Sequence, residues 1–408
     1  MISRADALRH VLDRVQPLPA APVRVTAAAG LVLAEDVVAP RPVPPFANTA
    51  MDGVAVRSSD TAPGARLRLV GTVAAGDAGA IEVGVGEAVR VMTGAPVPPG
   101  ADAVVMVELC SFEGSGDDEW VTVGQAVPAG NHIRPAGDDV AAGTVVLAAG
   151  ATITPGAVAL LRTVGRATVS AHPRPRVGVM STGDELVEPP AELGPGQIYD
   201  SNRAALVALV TEAGFDAIDL GLVGDDEPAI EAALRSGAAS CDAVISSGGV
   251  SMGDFDFVKT VLDRIGDMTW MQVAIKPAKP LAFGTIAAEG RKVPVFGLPG
   301  NPVSSMVSFE LFARPALRRL AGHERVERPV TTVVAGEDFR RRVDGKTHFA
   351  RVVLSAGEGD RLVARSAGGQ GSHHLGAMAA ANGLAVLPDG DGVAAGDLVD
   401  VLVVGPVG

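Results

Sequence analysis

The stretch IKPAKPLAFG (Ile275 to Gly284) sets two lysines in an apolar run of a chain whose formal net charge is −13. A proline follows each lysine, which disfavours helix at Lys276 and Lys279 and biases both toward extended or polyproline geometry. Polyproline geometry repeats every three residues, so the two ammonium groups are expected on one side of the chain, about 9 Å apart along it. Such a fixed pair of cations suits an anion. Two solvated lysines at a strand end would be written with the same ten residues.

A second anion feature lies in VFGLPGNPVSS, where a strand is expected to end at Gly297 and Pro299, Gly300 and Asn301 form the turn into a helix. Asn301 is placed to cap that helix, and Pro302 at its first position loses no needed donor. The N–H groups of Val303, Ser304 and Ser305 are then expected free at a helix N-terminus, which favours an anion. A well-capped helix without a ligand fits the same pattern. In ISSGGVSMGDFDFVK, Gly248 and Gly249 permit close backbone approach, while Ser246, Ser247 and Ser251 offer hydroxyls. The spacing is not that of a P-loop.

Carboxylates follow the strands as well: Asp184 and Glu185, Asp225 and Asp226, and Asp254 and Asp256. Acids beside a phosphate-type ligand imply Mg²⁺ bridging the two, or aspartates reading a polar ring. Each pair taken singly also fits helix capping.

The elements that must position these residues change along the chain. From Arg176, short apolar strands alternate with amphipathic helices, the pattern of a doubly wound, mostly parallel α/β sheet with its ligands beyond the strands' carboxyl ends. Before it, four prolines in APRPVPPFANTAMDG make a stiff connector, and short β-rich runs follow to about Val140. A helix opens at TPGAVALL with Thr154 as N-cap and Pro155 in the first turn, and another at the start with Ser3 as a cap. After about Arg328 the chain is β-rich again. The expected fold is therefore multidomain, α/β plus β. A discontinuous N-terminal helical and linker domain takes residues 1–43 and 141–173, and a β-rich inserted domain takes 44–140. The α/β domain spans 174–326, and a small C-terminal β-barrel-like domain spans 327–408.

Composition excludes several functions. Asp and Glu (47) outnumber Lys and Arg (34), which argues against a polyanion-binding surface and so against nucleic acid. Cys110 and Cys241 belong to no Cys/His cluster, so neither a disulfide framework nor structural zinc is indicated. No apolar run is long enough for a membrane span, and the amphipathic start lacks a signal peptide's apolar core, so a cytoplasmic location is expected.

Seven motifs occur in an order that resembles the MoeA/gephyrin E-domain family: PPFANTAMDGVAV, MTGAPVPPGADAVV, MSTGDEL with GQIYDSNR, SSGGVSMGDFDFVK, IKPAKPLAFG, GLPGNPVS and QGSHHL. The resemblance covers essentially the whole chain. It implies a molybdopterin molybdenumtransferase, which inserts molybdate into adenylylated molybdopterin with Mg²⁺-dependent release of AMP. Carried onto this sequence, Lys276, Lys279, Ser304, Arg351 and Ser372 would hold molybdate. Asp226, Asp254 and Asp256, with Ser247, Gly248, Gly249, Pro299, Gly300 and Asn301, would lie at the pterin and adenylate. Glu185 would be the active-site acid, and Asp52, Thr93 and Asp139 would come from the other subunit of a head-to-tail homodimer, with Asp52 and Glu185 as metal ligands. A molybdopterin adenylyltransferase would be the hand-over partner. The sequence departs from the family pattern at Thr49 and Val54, and at Gly376 and Ala377, where serines are common. Two other readings remain at this point: an adenylyltransferase acting on molybdopterin, which the flanking β domains disfavour, and a non-catalytic peptide-binding scaffold of the gephyrin E type.

Overall fold

A computed structural model describes residues 1–78, 80–248, 257–357, 359 and 361–407. The chain divides into two compact units, one of Pro22–Ala29 and Glu35–Val169, the other of Met1–Ala21, Gly30–Ala34 and Ser170–Gly408. The second begins with α1 (Arg4–Leu12), capped by Ser3, whose hydroxyl accepts from the Asp6 N–H; its apolar face buries Ala7, Leu8 and Val11.

In the first unit, six strands form one sheet: β1 (Gly53–Val56), β2 (Ala65–Val73), β3 (Glu87–Val91), β4 (Ala103–Met106), β5 (Cys110–Glu113) and β6 (Trp120–Val123). Their order is β4-β1-β3-β2-β6-β5, and only β2 and β3 run parallel. Alternate residues along β1 serve two cores, Val54 and Val56 on one face and Ala55 on the other, as the two-residue period of a strand requires. Val54, where the family pattern has an aromatic, is fully buried. α2 (Pro155–Thr163) starts as expected, with the Thr154 hydroxyl accepting from Ala157 N–H.

The α/β sheet of the other unit contains β7 (Arg176–Thr182), α3 (Asn202–Glu212), β8 (Asp216–Val223), α4 (Glu227–Ser240), β9 (Ala243–Ser247), α5 (Phe257–Ile265) and β10 (Gly266–Gln272). The short β11 (Ile275–Lys276) follows, then β12 (Pro280–Ala288) and β13 (Arg291–Leu298). The sheet order is β8-β7-β9-β13-β12-β10. The first four strands are parallel, whereas β12 and β10 are antiparallel, so one half of the sheet is wound by crossovers and the other by hairpins. β13 runs one residue beyond the expected Gly297, to Leu298.

One face of this sheet packs on α1, α3 and the helices after β13; the other packs on α4 and α5. The helix after β13 is not uniform. α6 (Pro302–Ser308) passes through a π-helical turn, Phe309–Ala313, into α7 (Arg314–Leu320). Pro315 explains the turn: it has no N–H to donate and its ring crowds the preceding carbonyls, so the chain widens there instead of breaking.

The C-terminal strands are β14 (Val330–Ala335), β15 (Thr347–Ala356), β16 (Leu362–Ser366), β17 (Gly383–Leu387) and β18 (Leu398–Val403), with α8 (Leu375–Ala380) before β17. They pair in the order β15-β16-β14-β18-β17, and β17 returns to β15, closing a barrel around Val352, Leu354, Ala385 and Val401. Closure removes the open edges that short strands would otherwise expose. β11 adds to the far end of β15 in parallel, pairing Lys276 with His348. Through that pairing the two-lysine turn joins the barrel.

Candidate functional site

The parallel register sets the carboxyl ends of four strands side by side: Thr182 opposite Val223, Ser181 opposite Ser247, and Ser247 opposite Leu298. The loops leaving them are knitted by main-chain bonds. Gly248 N–H donates to Leu298 O at 3.1 Å, and Asp225 N–H donates to the Asp184 carboxylate at 2.9 Å. Gly248 has φ of 100°, and a Cβ there would stand 3.0 Å from the Thr182 carbonyl oxygen, so glycine is needed at this crossing. The Ser246 and Ser247 hydroxyls are buried and have no partner among the described residues. Gly249, Asp254 and Asp256 lie outside the described residues.

Of the acids expected here, Asp226 caps α4, accepting from Ala229 N–H at 2.9 Å. Glu185 is exposed, and its main-chain carbonyl accepts from Ile198 N–H at 2.8 Å. Pro299, Gly300 and Asn301 form the turn before α6, with Asn202 Nδ2 donating to Gly300 O at 2.6 Å. The Asn301 side chain does not cap α6; its carbonyl accepts from Ser305 N–H at 2.9 Å. Nor is the Val303 N–H free, since it donates to Ser372 O at 3.2 Å. The expected row of free helix donors is thus reduced, because the barrel loop 369–372 docks on the first turn of α6.

That loop leads to Arg351. Its guanidinium, on a residue only 1% exposed, donates from Nη2 to Gly369 O at 3.0 Å and to Gly371 O at 3.1 Å. Gln370 brackets the same residue, accepting from Arg351 N–H and donating to Arg351 O. Nε has no partner, and no carboxylate pairs with this charge among the described residues. Desolvation alone pulls its pKa below the usual guanidinium value. A buried cation without a counter-ion is costly. An anionic ligand would offset that cost.

Arg351 and Lys276 line one cavity of about 620 Å³, together with Phe339, Arg342, His348 and Gln370. Lys279 is exposed on the same turn and is not part of the lining. The three-residue polyproline repeat expected between the lysines is interrupted at Ala278, whose φ of 75° lies outside polyproline space. Ser304 is buried in the first turn of α6, beside the residue that holds Ser372. Of the five residues expected at molybdate, the structure brings Lys276 and Arg351 into one cavity; Ser304 and Ser372 meet at the neighbouring contact between α6 and the barrel loop and, like Lys279, are not part of the lining.

In the other unit, Asp52 is exposed, and one of its carboxylate oxygens accepts from both the Thr93 N–H and the Thr93 hydroxyl, each at 2.7 Å. These bonds, the hydroxyl's first, hold the Asp52 pKa below the ordinary carboxylate value. Asp139 is exposed, with its N–H bound to Val43 O at 3.0 Å.

The chain matches the MoeA N-terminal region (domain I and II) over residues 2–165, a probable molybdopterin binding domain over 178–319, and the MoeA C-terminal region (domain IV) over 332–404. It is 39% identical to the molybdopterin molybdenumtransferase of Haemophilus influenzae, over 92% of this chain and 91% of that protein. The chain belongs to the MoeA family. Other MoeA-type relatives agree: molybdopterin molybdenumtransferase 2 of Mycobacterium tuberculosis is 40% identical, over 95% of this chain and 96% of that one. The crystal structure of a molybdopterin biosynthesis moeA protein from Pyrococcus horikoshii superposes with a TM-score of 0.80 at 31% identity, covering 100% of both chains.

Sequence reasoning about this MoeA-family chain missed three contributors. Arg342 and His348 line the cavity, and the run RRR at 340–342 in an acidic chain was the available signal. The third is the buried pair Asp200–Arg203, 3.0 Å apart, with Ser181 Oγ donating to Asp200 at 3.1 Å and Asp219 and Glu188 also on the guanidinium. Its i,i+3 spacing within YDSNR was legible.

Proposed function

We infer that this chain is a molybdopterin molybdenumtransferase that inserts molybdate into adenylylated molybdopterin and releases AMP. The observation that carries the reading is Arg351, a buried guanidinium without a carboxylate partner among the described residues, sharing a cavity with Lys276. Molybdate is a tetrahedral dianion, and converging cations and donors are what such a substrate needs. Arg351 and Lys276 supply charge, Ser304 and Ser372 supply hydroxyls, and Lys279 adds its charge from the same turn. Asp226, Asp254 and Asp256, with Ser247, Gly248, Gly249, Pro299, Gly300 and Asn301, are assigned to the pterin and adenylate at the strand ends. The division into 1–43 with 141–173, 44–140, 174–326 and 327–408 follows the same reading.

The acids fit a hard divalent cation. Asp52 and Glu185 are exposed carboxylates, and Thr93 engages only one oxygen of Asp52, leaving the other open. No group of three or more His, Cys, Asp or Glu side chains forms a closed metal site among the described residues. Mg²⁺ keeps waters and takes substrate phosphates as ligands, so one or two protein carboxylates are enough to hold it. When bound, Mg²⁺ would neutralise charge on the departing adenylate. Asp52, with Thr93 orienting it, and Asp139 are assigned to this chemistry from the partner copy of a head-to-tail homodimer. No helix among the described residues is long and apolar enough to cross a membrane, and a cytoplasmic enzyme receiving its substrate from an adenylyltransferase fits the reading.

The test is reconstitution. Purified chain with adenylylated molybdopterin, molybdate and Mg²⁺ is expected to release AMP and yield active cofactor. Formation of adenylylated pterin from molybdopterin and ATP would instead favour the adenylyltransferase. Neither product would leave the scaffold reading.

A further inference from the structure

The cavity is larger than its smallest expected occupant. It measures about 620 Å³, whereas a water's share of the liquid is about 30 Å³ and a four-oxygen anion takes up a few such volumes. Room remains for a second anionic group. The lining carries Lys276, Arg340, Arg341, Arg342 and Arg351 against one carboxylate, Asp344.

These cations differ in what they already hold. Arg341, its side chain 1% exposed, donates to the carbonyls of Lys346, Leu387 and Pro388 and pairs with Asp344 and Asp389. Arg340 pairs with Asp338 at 2.9 Å. Asp344 is engaged by Arg341, Lys346 and His348, so it does not neutralise a further cation. The Arg342 guanidinium is exposed and makes no hydrogen bond or ion pair among the described residues.

Its main chain is nevertheless fixed. Asp389 accepts from Arg341 and from the N–H groups of Asp344 and Gly345, the latter two at 3.1 Å, which anchors the loop on both sides of Arg342. Little backbone entropy remains to be lost when that side chain takes a ligand.

We propose that Arg342 is a second anion-recognition residue of the Lys276–Arg351 cavity, binding a tetrahedral oxyanion group. This rests on the molybdenumtransferase reading. The group is either free molybdate on its way to Arg351 or the phosphate of the pterin substrate. Both present the same face to a planar guanidinium fork.

The experiment has two arms, run on the full chain as wild type, Arg342→Gln, Arg342→Lys and Arg340→Gln, with equal melting curves as the entry condition. Calorimetry with molybdate alone forms one arm; AMP release against adenylylated molybdopterin concentration forms the other. Loss of one charge-assisted contact corresponds to about tenfold. Arg342→Gln is expected to lose about that much in molybdate affinity if the group is the free oxyanion. If it is the phosphate, KM for the pterin substrate rises by about that factor and kcat holds. Arg342→Lys should recover part of either loss, and Arg340→Gln should match wild type. Wild-type behaviour of Arg342→Gln in both arms overturns the proposal, as does an equal loss in Arg340→Gln, which would mark a diffuse field. Should wild type release no AMP, the functional reading fails and the phosphate case goes with it, and the molybdate arm alone then upholds or overturns the proposal.

Discussion

The N–H of Val303 donates to the carbonyl of Ser372 at 3.2 Å, joining the first turn of α6 to the loop that holds the Arg351 guanidinium. The contact has a cost and a use. It removes one helix-terminal donor from the supply available to an anion, and it fixes the loop whose carbonyls at Gly369 and Gly371 aim Arg351. A site of this kind depends on barrel and α/β sheet being docked through a few main-chain bonds.

Arg351→Met separates binding from stability. The guanidinium makes two bonds to carbonyls and has no counter-ion among the described residues. Replacing a buried charge by an apolar side chain of similar length is near neutral for folding, within about 1–2 kcal/mol. Molybdate affinity, by contrast, should fall at least about tenfold, the worth of one charged hydrogen bond. Calorimetry and denaturant unfolding on the same preparation check this. A large loss of stability with unchanged molybdate affinity would make Arg351 a structural residue.

Thr93→Val tests the acid in the other unit. The Thr93 hydroxyl is the larger of the two influences that lower the Asp52 pKa, the Thr93 N–H the smaller. Both bonds favour the carboxylate, so their stabilising contribution is present above the unfolded-state pKa and is lost as pH falls through the folded value. Removing the hydroxyl should move the Asp52 titration upward, read by NMR. The acid limb of AMP release should move the same way. Asp52→Asn should reduce AMP release by about a hundredfold if the carboxylate acts in the chemistry, with the molecular mass in solution the same as that of wild type.

The α/β sheet was legible because alternating strand and helix periods are local, and the Gly-rich turns mark where strands stop. The C-terminal segment was legible as a small β-barrel-like domain, but the strand order that closes it was not: the return of β17 to β15 pairs residues such as Val352 and Gly383, far apart in sequence, and no local pattern encodes that pairing. That Lys276 and Arg351 share a site was implied by the family resemblance and by no local pattern. Lys276 meets His348 and Arg351 only because β11 adds to β15. The lysine pair itself was over-read, since the positive φ of Ala278 interrupts the repeat on which the spacing argument stood.

Asp200→Asn should be strongly destabilising. Asp200 and Arg203 have side chains 1% and 11% exposed and stand 3.0 Å apart. Breaking a buried ion pair by removing one partner costs about 3–5 kcal/mol, and Asp219 and Glu188, half exposed on the same guanidinium, place the loss toward the lower figure. The double variant Asp200→Leu with Arg203→Leu should cost less than Asp200→Asn alone. The single change should also disturb Glu185, because Asp200 N–H to Val187 O and Ile198 N–H to Glu185 O are successive bonds, at 3.0 and 2.8 Å. Urea unfolding of the three proteins gives the energies, and a single-variant loss below about 1 kcal/mol would show the pair to be solvated.

His323 predicts an acid weakness in the fold. Burial first, then the charges of Arg318 and Arg314, push its pKa down from 6.5 to about 4. The folded chain therefore keeps this imidazole neutral while the unfolded chain takes up a proton, so stability is full above 6.5 and declines as pH falls toward about 4. His323→Gln cannot take up that proton. Melting temperatures of wild type and variant, compared through the same window, should converge as pH falls, because carboxylate losses are common to both and cancel in the difference. A difference that stays constant with pH would mean the imidazole is protonated equally in both states, and its placement beside Arg314 and Arg318 would then have no energetic consequence.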